Sequence, residues 1–100
     1  MELKKTGIAG TLESSDINIV IEPTNVPGID INLQSAVIKQ YGRQIKETIE
    51  ETLRSQGVES AAVRAVDKGA VDFVIKARTL TALCRAAEIE EYKWGEWYKW

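Results

Sequence analysis

The stretch Ile8-Ala9-Gly10-Thr11-Leu12-Glu13-Ser14-Ser15-Asp16-Ile17-Asn18-Ile19-Val20-Ile21 alternates apolar and polar residues on both sides of a short polar break. Ile8, Gly10 and Leu12 would share one face before the break, and Ile17, Ile19 and Ile21 one face after it. Period-two alternation on both flanks of a polar tip predicts a β-hairpin. Its strands would run from Thr6 to Glu13 and from Ile17 to Glu22. The tip, Glu13 to Asp16, would stand in solvent, where a modifying enzyme could reach a serine hydroxyl. Serine and aspartate are also ordinary turn formers, because their short side chains bond their own backbone. The residues alone therefore leave open whether the tip is a chemical handle or only a turn.

Outward from the hairpin, Pro23 ends the second strand, since proline cannot donate to a ladder. Val26-Pro27-Gly28-Ile29 has the proline and glycine of a type II turn. Ile29, Ile31 and Leu33 then alternate with polar residues in a third strand. Ser35 is a candidate N-cap, and the apolar period changes to helical: Val37, Ile38, Tyr41, Ile45, Ile49 and Leu53 lie on one stripe. Lys39, Arg43, Lys46, Glu47, Glu50 and Arg54 lie opposite. This helix is predicted from Ala36 to Gln56, with Gly57 as its stop. A fourth, alanine-rich strand is predicted over Ser60 to Val66, a tight turn at Asp67-Lys68-Gly69, and a fifth strand over Ala70 to Ala77, with Val71, Phe73, Ile75 and Ala77 on one face. A second helix follows from Thr79 to Ile89, with Leu80, Leu83, Cys84 and Ala87 inward.

The expected architecture is thus α+β: a mainly antiparallel five-stranded sheet, in chain order βββαββα, with both helices packed on one face. Ile19, Ile31, Tyr41, Ile45, Ile49, Phe73, Ile75 and Leu83 are its expected core. Residues 1–100 form one domain. Residues 91–100 make an aromatic tail with Tyr92, Trp94, Trp97, Tyr98 and Trp100, expected either to pack on the domain or to contact a partner subunit.

Composition narrows the function. The chain has 100 residues, a net charge of −2 and no histidine. Ser-His nucleophilic catalysis is excluded within it, and one cysteine without histidine makes a poor zinc site. There is no basic excess for nucleic acid and no apolar run of membrane-spanning length. No apolar signal core follows Met1-Glu2-Leu3-Lys4-Lys5, and the single Cys84 suits a reducing compartment. A cytoplasmic, non-catalytic protein is the expectation, and Cys84 is expected to be a small core residue.

Ala9-Gly10-Thr11-Leu12-Glu13-Ser14-Ser15-Asp16, followed by Asp67-Lys68-Gly69-Ala70-Val71-Asp72 and Lys76-Ala77-Arg78, resembles the acyl carrier proteins of citrate lyase, the gamma subunits of that complex. The resemblance runs from about Gly7 to Ile89 in order and spacing. Ordinary phosphopantetheine carriers are helical bundles with an Asp-Ser-Leu segment, which is absent here. The resemblance implies that Ser14 carries phosphoribosyl dephospho-CoA through a phosphodiester, which makes the chain a phosphoprotein. Position 15 is often glycine in that family, so Ser15 is not the implied attachment point. The arm would carry acetyl and citryl as thioesters during citrate fermentation. The alpha subunit exchanges acetyl for citryl, and the beta subunit cleaves citryl to oxaloacetate. A prosthetic-group transferase is the third implied partner, and Glu13 and Asp16 are candidates for what it reads. No metal is implied. The related carrier of malonate decarboxylase and a cofactor-free scaffolding subunit are the alternatives. The C-terminal segment is more aromatic than the family pattern.

Overall fold

The computed structural model describes residues 2–89; the aromatic tail lies outside them. The expected hairpin is present. Strand β1 (Gly7–Ala9) pairs antiparallel with β2 (Ile17–Glu22) in the register Ala9↔Ile19. Strand β3 (Gly28–Ser35) leads into helix α1 (Ile38–Ser55), which returns the chain to β4 (Ser60–Asp67). Parallel neighbours need such a crossover, and β4 lies parallel to β3, with Leu33 opposite Ala65. The other edge of β4 pairs antiparallel with β2, from Ile17↔Asp67 to Glu22↔Ala62. The sheet order is β1-β2-β4-β3. Helix α2 (Asp72–Ala86) closes the domain.

One face of the sheet is apolar and covered. Ile17, Ile19 and Ile21 of β2 and Ala61, Val63 and Ala65 of β4 are buried with Leu33. Ile45, Ile49 and Leu53 of α1 pack on them, together with Ile75, Leu80, Leu83 and Cys84 of α2. α1 lies against β3, α2 lies against β1 and β2, and the helices touch each other. On the other face Arg64 reaches diagonally to Glu22, a cross-strand pairing of opposite charges.

The α+β class fits, but the sheet has four strands, not five, and the chain order is βββαβα. The segment predicted as a fifth strand, Ala70 to Ala77, is instead the start of α2. Its alternation misled: Val71 and Phe73 are 66% and 69% exposed. The residues that do bury are Ile75, Thr79, Leu80, Ala82, Leu83, Cys84 and Ala86, which recur at spacings of three and four as on one face of a helix. A short apolar run does not distinguish strand from helix by period alone. β4 also has β2 on one edge and β3 on the other, so a hairpin partner following it directly would have no edge to join. In α1, Tyr41 is 51% exposed and outside the expected core. The helix begins at Ile38, and Ser35 does not cap it directly. The Ser35 hydroxyl accepts from the amide of Val37 (3.1 Å) and donates to Asp67 Oδ2 (2.9 Å).

In β1 the small residues, not the large apolar ones, face the core. Gly7 and Ala9 are buried, whereas Ile8 and Leu12 are exposed. The cause is the close approach of α2: a Cβ on Gly7 would lie 2.0 Å from the carbonyl oxygen of Ala82 and 2.5 Å from the amide nitrogen of Ala86. The strand must present its smallest residue to the helix. Gly7→Ala should therefore cost about 2–3 kcal/mol, the upper part of the usual range for overpacking. Urea unfolding checks this, with a lower midpoint and an unchanged slope expected.

Candidate functional site: the Gly10–Asp16 loop

β1 stops where Gly10 takes φ +92°. A Cβ there would lie 1.8 Å from the carbonyl oxygen of Ile17, so only glycine lets the chain fold back over the start of β2. The side-chain amide of Asn18 donates to the Gly10 carbonyl (3.2 Å). The loop then closes on itself. The Asp16 amide donates to the Glu13 carbonyl (3.2 Å), leaving Ser14 and Ser15 as the central pair of a four-residue turn. Ser15 sits at φ +66°, a conformation glycine adopts without strain. Glycine in its place would relieve that strain.

Asp16 organises the loop. Its Oδ2 accepts from the Thr11 hydroxyl (2.7 Å) and the Thr11 amide (3.2 Å), and its Oδ1 accepts from its neighbour Ile17's amide (2.7 Å). Arg78 of α2 grips both oxygens, Nε on Oδ1 at 3.0 Å and Nη2 on Oδ2 at 2.9 Å. Bidentate Arg–carboxylate pairs fix orientation as well as distance. The loop is also laced to the turn after β4: the Ser15 amide donates to the Lys68 carbonyl and the Lys68 amide to the Asp16 carbonyl, both at 2.9 Å. Asp67 braces that turn by accepting from the Ala70 amide (3.0 Å).

The hydrogen bonds from Arg78, opposed by burial and aided by Thr11 and the Ile17 amide, hold the Asp16 carboxyl far below the usual carboxylate range. Asp16 in turn raises Arg78. A carboxyl depressed in the folded state stabilises fully above its unfolded pKa of about 3.9 and loses that contribution as pH falls below it. Asp16→Asn should cost about 1–2 kcal/mol at pH 7: charged hydrogen bonds are lost, but the guanidinium is 40% exposed and solvent screens it. The variant should also lose less stability than the parent between about pH 4 and pH 2. Urea unfolding at pH 7, 4 and 2.5 measures both; parallel pH profiles would contradict the assignment.

Within this framework Ser14 is exposed, and its hydroxyl makes no hydrogen bond among the described residues. Glu13 is likewise exposed with an unpartnered carboxylate. Asp16 is 8% exposed, with both oxygens committed to the loop. Cys84 is fully buried, and burial pushes its thiol upward. Among the described residues there is no cluster of three or more His, Cys, Asp or Glu suited to a metal. The turn therefore exposes two serine hydroxyls, those of Ser14 and Ser15, neither of them bonded among the described residues and neither with a group beside it to activate it. The Arg78 clamp had no local signal, because it joins residues 62 apart.

Residues 4–86 match the family model described as "Malonate decarboxylase delta subunit (MdcD)". The fold is similar to a chain in the crystal structure of a Pseudomonas malonate decarboxylase hetero-tetramer in complex with malonate, with a TM-score of 0.61. At 19% identity, over 83% of this chain and 89% of that one, the likeness concerns the fold alone. The chain is 54% identical over 100 residues to the citrate lyase acyl carrier protein of Streptococcus mutans serotype c, covering all of this chain and 98% of that protein. It is 53% identical over 93 residues to the one from Fusobacterium nucleatum, covering 93% and 99% of the two chains. The chain belongs to the citrate lyase acyl carrier protein family, and is a carrier subunit rather than a catalyst.

Proposed function

We propose that Ser14 is the attachment point of a phosphoribosyl dephospho-CoA arm, and that the domain presents this arm to the alpha and beta subunits of a citrate lyase. The observation that carries the reading is the exposed, unpartnered hydroxyl at the centre of a turn held from three sides, by Asp16, Arg78 and Lys68. When bound, the arm supplies a terminal thiol on which acetyl and citryl groups travel as thioesters. The protein's part is mechanical. Thr11, Asp16 and Arg78 fix the direction in which the arm leaves, and a tethered group meets each active site at an effective concentration in the millimolar range. Rigidity at the root of the arm keeps that concentration from being spread over unproductive directions.

The transferase that installs the arm would read Glu13 rather than Asp16, whose carboxylate is already engaged. A cytoplasmic location goes with this role; among the described residues no helix is long and apolar enough to cross a membrane. The test is intact-mass analysis of protein purified from its natural host, with peptide mapping around residue 14. The mass of the arm on the Ser14 peptide is expected. An unmodified chain in active complex would favour a cofactor-free scaffold. Activity with purified malonate decarboxylase subunits in place of citrate lyase subunits would favour the related carrier.

A further inference from the structure

We propose that the groove between the first turns of α1 and α2 binds the adenine ring of the arm, docking the base end of the group and leaving its thiol end free. This rests on the reading of Ser14 above. The groove has a volume of about 280 Å³ and is lined by Tyr41, Gln44 and Ile45 of α1, Ile75 of α2, and Gly69 and Val71 just before it.

Position, size and chemistry converge on that occupant. The turn that contributes Gly69 is bonded through Lys68 to Ser15 and Asp16, so the groove adjoins the attachment loop. β3 and β4 both end there, which brings the starts of both helices to the same end of the sheet as Ser14. Pockets that enclose a drug-sized ligand run from about 300 to 1,000 Å³; this one takes a ring system, not a whole arm. Dephospho-CoA has its adenosine at one end and its thiol at the other. The thiol must stay free for acylation, so the serine holds the group from the adenosine side.

The lining suits a purine. Tyr41 exposes its ring, and bases stack favourably on aromatic side chains. Gln44 lies one turn further along the same helix face, and its side-chain amide has no partner among the described residues. A glutamine amide donates and accepts side by side, the complement of adenine N7 and N6. Asp72, exposed and unpartnered at the rim, is a further acceptor for the N6 amino group. Asp67 and Asp72 disfavour the pyrophosphate and citryl carboxylates in this place, which selects the neutral base. A site of only millimolar affinity would be well occupied by a tethered ligand.

The experiment uses the full chain without its arm, observed by amide NMR and titrated with adenosine and, separately, with pantethine, both in the millimolar range. Adenosine should saturably shift Gly69, Val71 and the Gln44 side-chain amide, and pantethine should not. Gln44→Ala and Val71→Asp should each weaken the adenosine response at least five-fold. In protein shown by intact mass to carry the arm on Ser14, the same signals should already be displaced and adenosine should have no further effect. Shifts with pantethine alone, or with adenosine only outside the groove, would overturn the proposal. So would an adenosine response that appears only after residues 90–100 are removed, which would make the aromatic tail the occupant. If mass analysis finds no arm on Ser14, the reading of function fails by itself, and the adenosine titration still decides whether the groove binds a purine.

Discussion

Ser14→Ala should abolish attachment of the prosthetic group while leaving the domain as stable as its parent. The side chain is exposed and the hydroxyl bonds nothing among the described residues, so the change in stability should stay within about 0.5 kcal/mol. The loss of loading should be complete, because Ser14 and not Ser15 is the attachment point that the family resemblance implies. Thr11 Oγ1 is occupied, donating to Asp16 and accepting from the Glu13 amide. Ser15, the other exposed hydroxyl of the turn, sits on a left-handed backbone at φ +66°. Ser15→Gly is the matching control: it should load normally and should be slightly stabilised, since it relieves a positive φ. Incubation of each variant with the purified transferase and the activated group, followed by intact mass, reads the outcome. Loading of Ser14→Ala together with failure of Ser15→Gly would move the attachment point to residue 15.

The largest effect on stability is expected from Ile49→Ala. Ile49 is fully buried in the middle of α1, in the cluster that joins the helix to the sheet and to α2. Removing its outer carbons leaves a cavity that the surrounding backbone cannot close, and such substitutions cost about 2–5 kcal/mol. Total stability for a small domain is about 5–15 kcal/mol, so a third or more could be lost. For a domain of this size each kcal/mol lowers Tm by roughly 4–8 °C, which places the shift at about 10 °C or more. Thermal and urea unfolding measure it. A cost below about 1 kcal/mol would mean that the site collapses around the smaller side chain.

The legible and illegible parts of the chain divide by the range of the interactions that decide them. The hairpin tip, β2, β3 and α1 rest on local periodicity and were readable to within a few residues. The facing of β1 was not, because Gly7 points inward only on account of α2, some 75 residues later in the chain. Phe73 and Val71 alternate with Ile75 as strand residues do, yet the sheet has no vacant edge beside β4; only the pairing of β4 with two partners reveals that. Ser14 came from the resemblance, since turn chemistry by itself left two readings open. The bond between Asp16 and Arg78 had no trace in spacing or composition.

That bond ties the display of Ser14 to the completion of folding. Contacts between residues far apart in sequence form late, after the loop between them has been closed. A chain still emerging from synthesis, or one that has come open, has no Arg78 against Asp16 and no Lys68 carbonyl beneath Ser15. It would offer the serine on a slack segment instead of a shaped turn. If Ser14 carries the arm as proposed, a modifying enzyme that recognises the turn by its form would act only on finished domains.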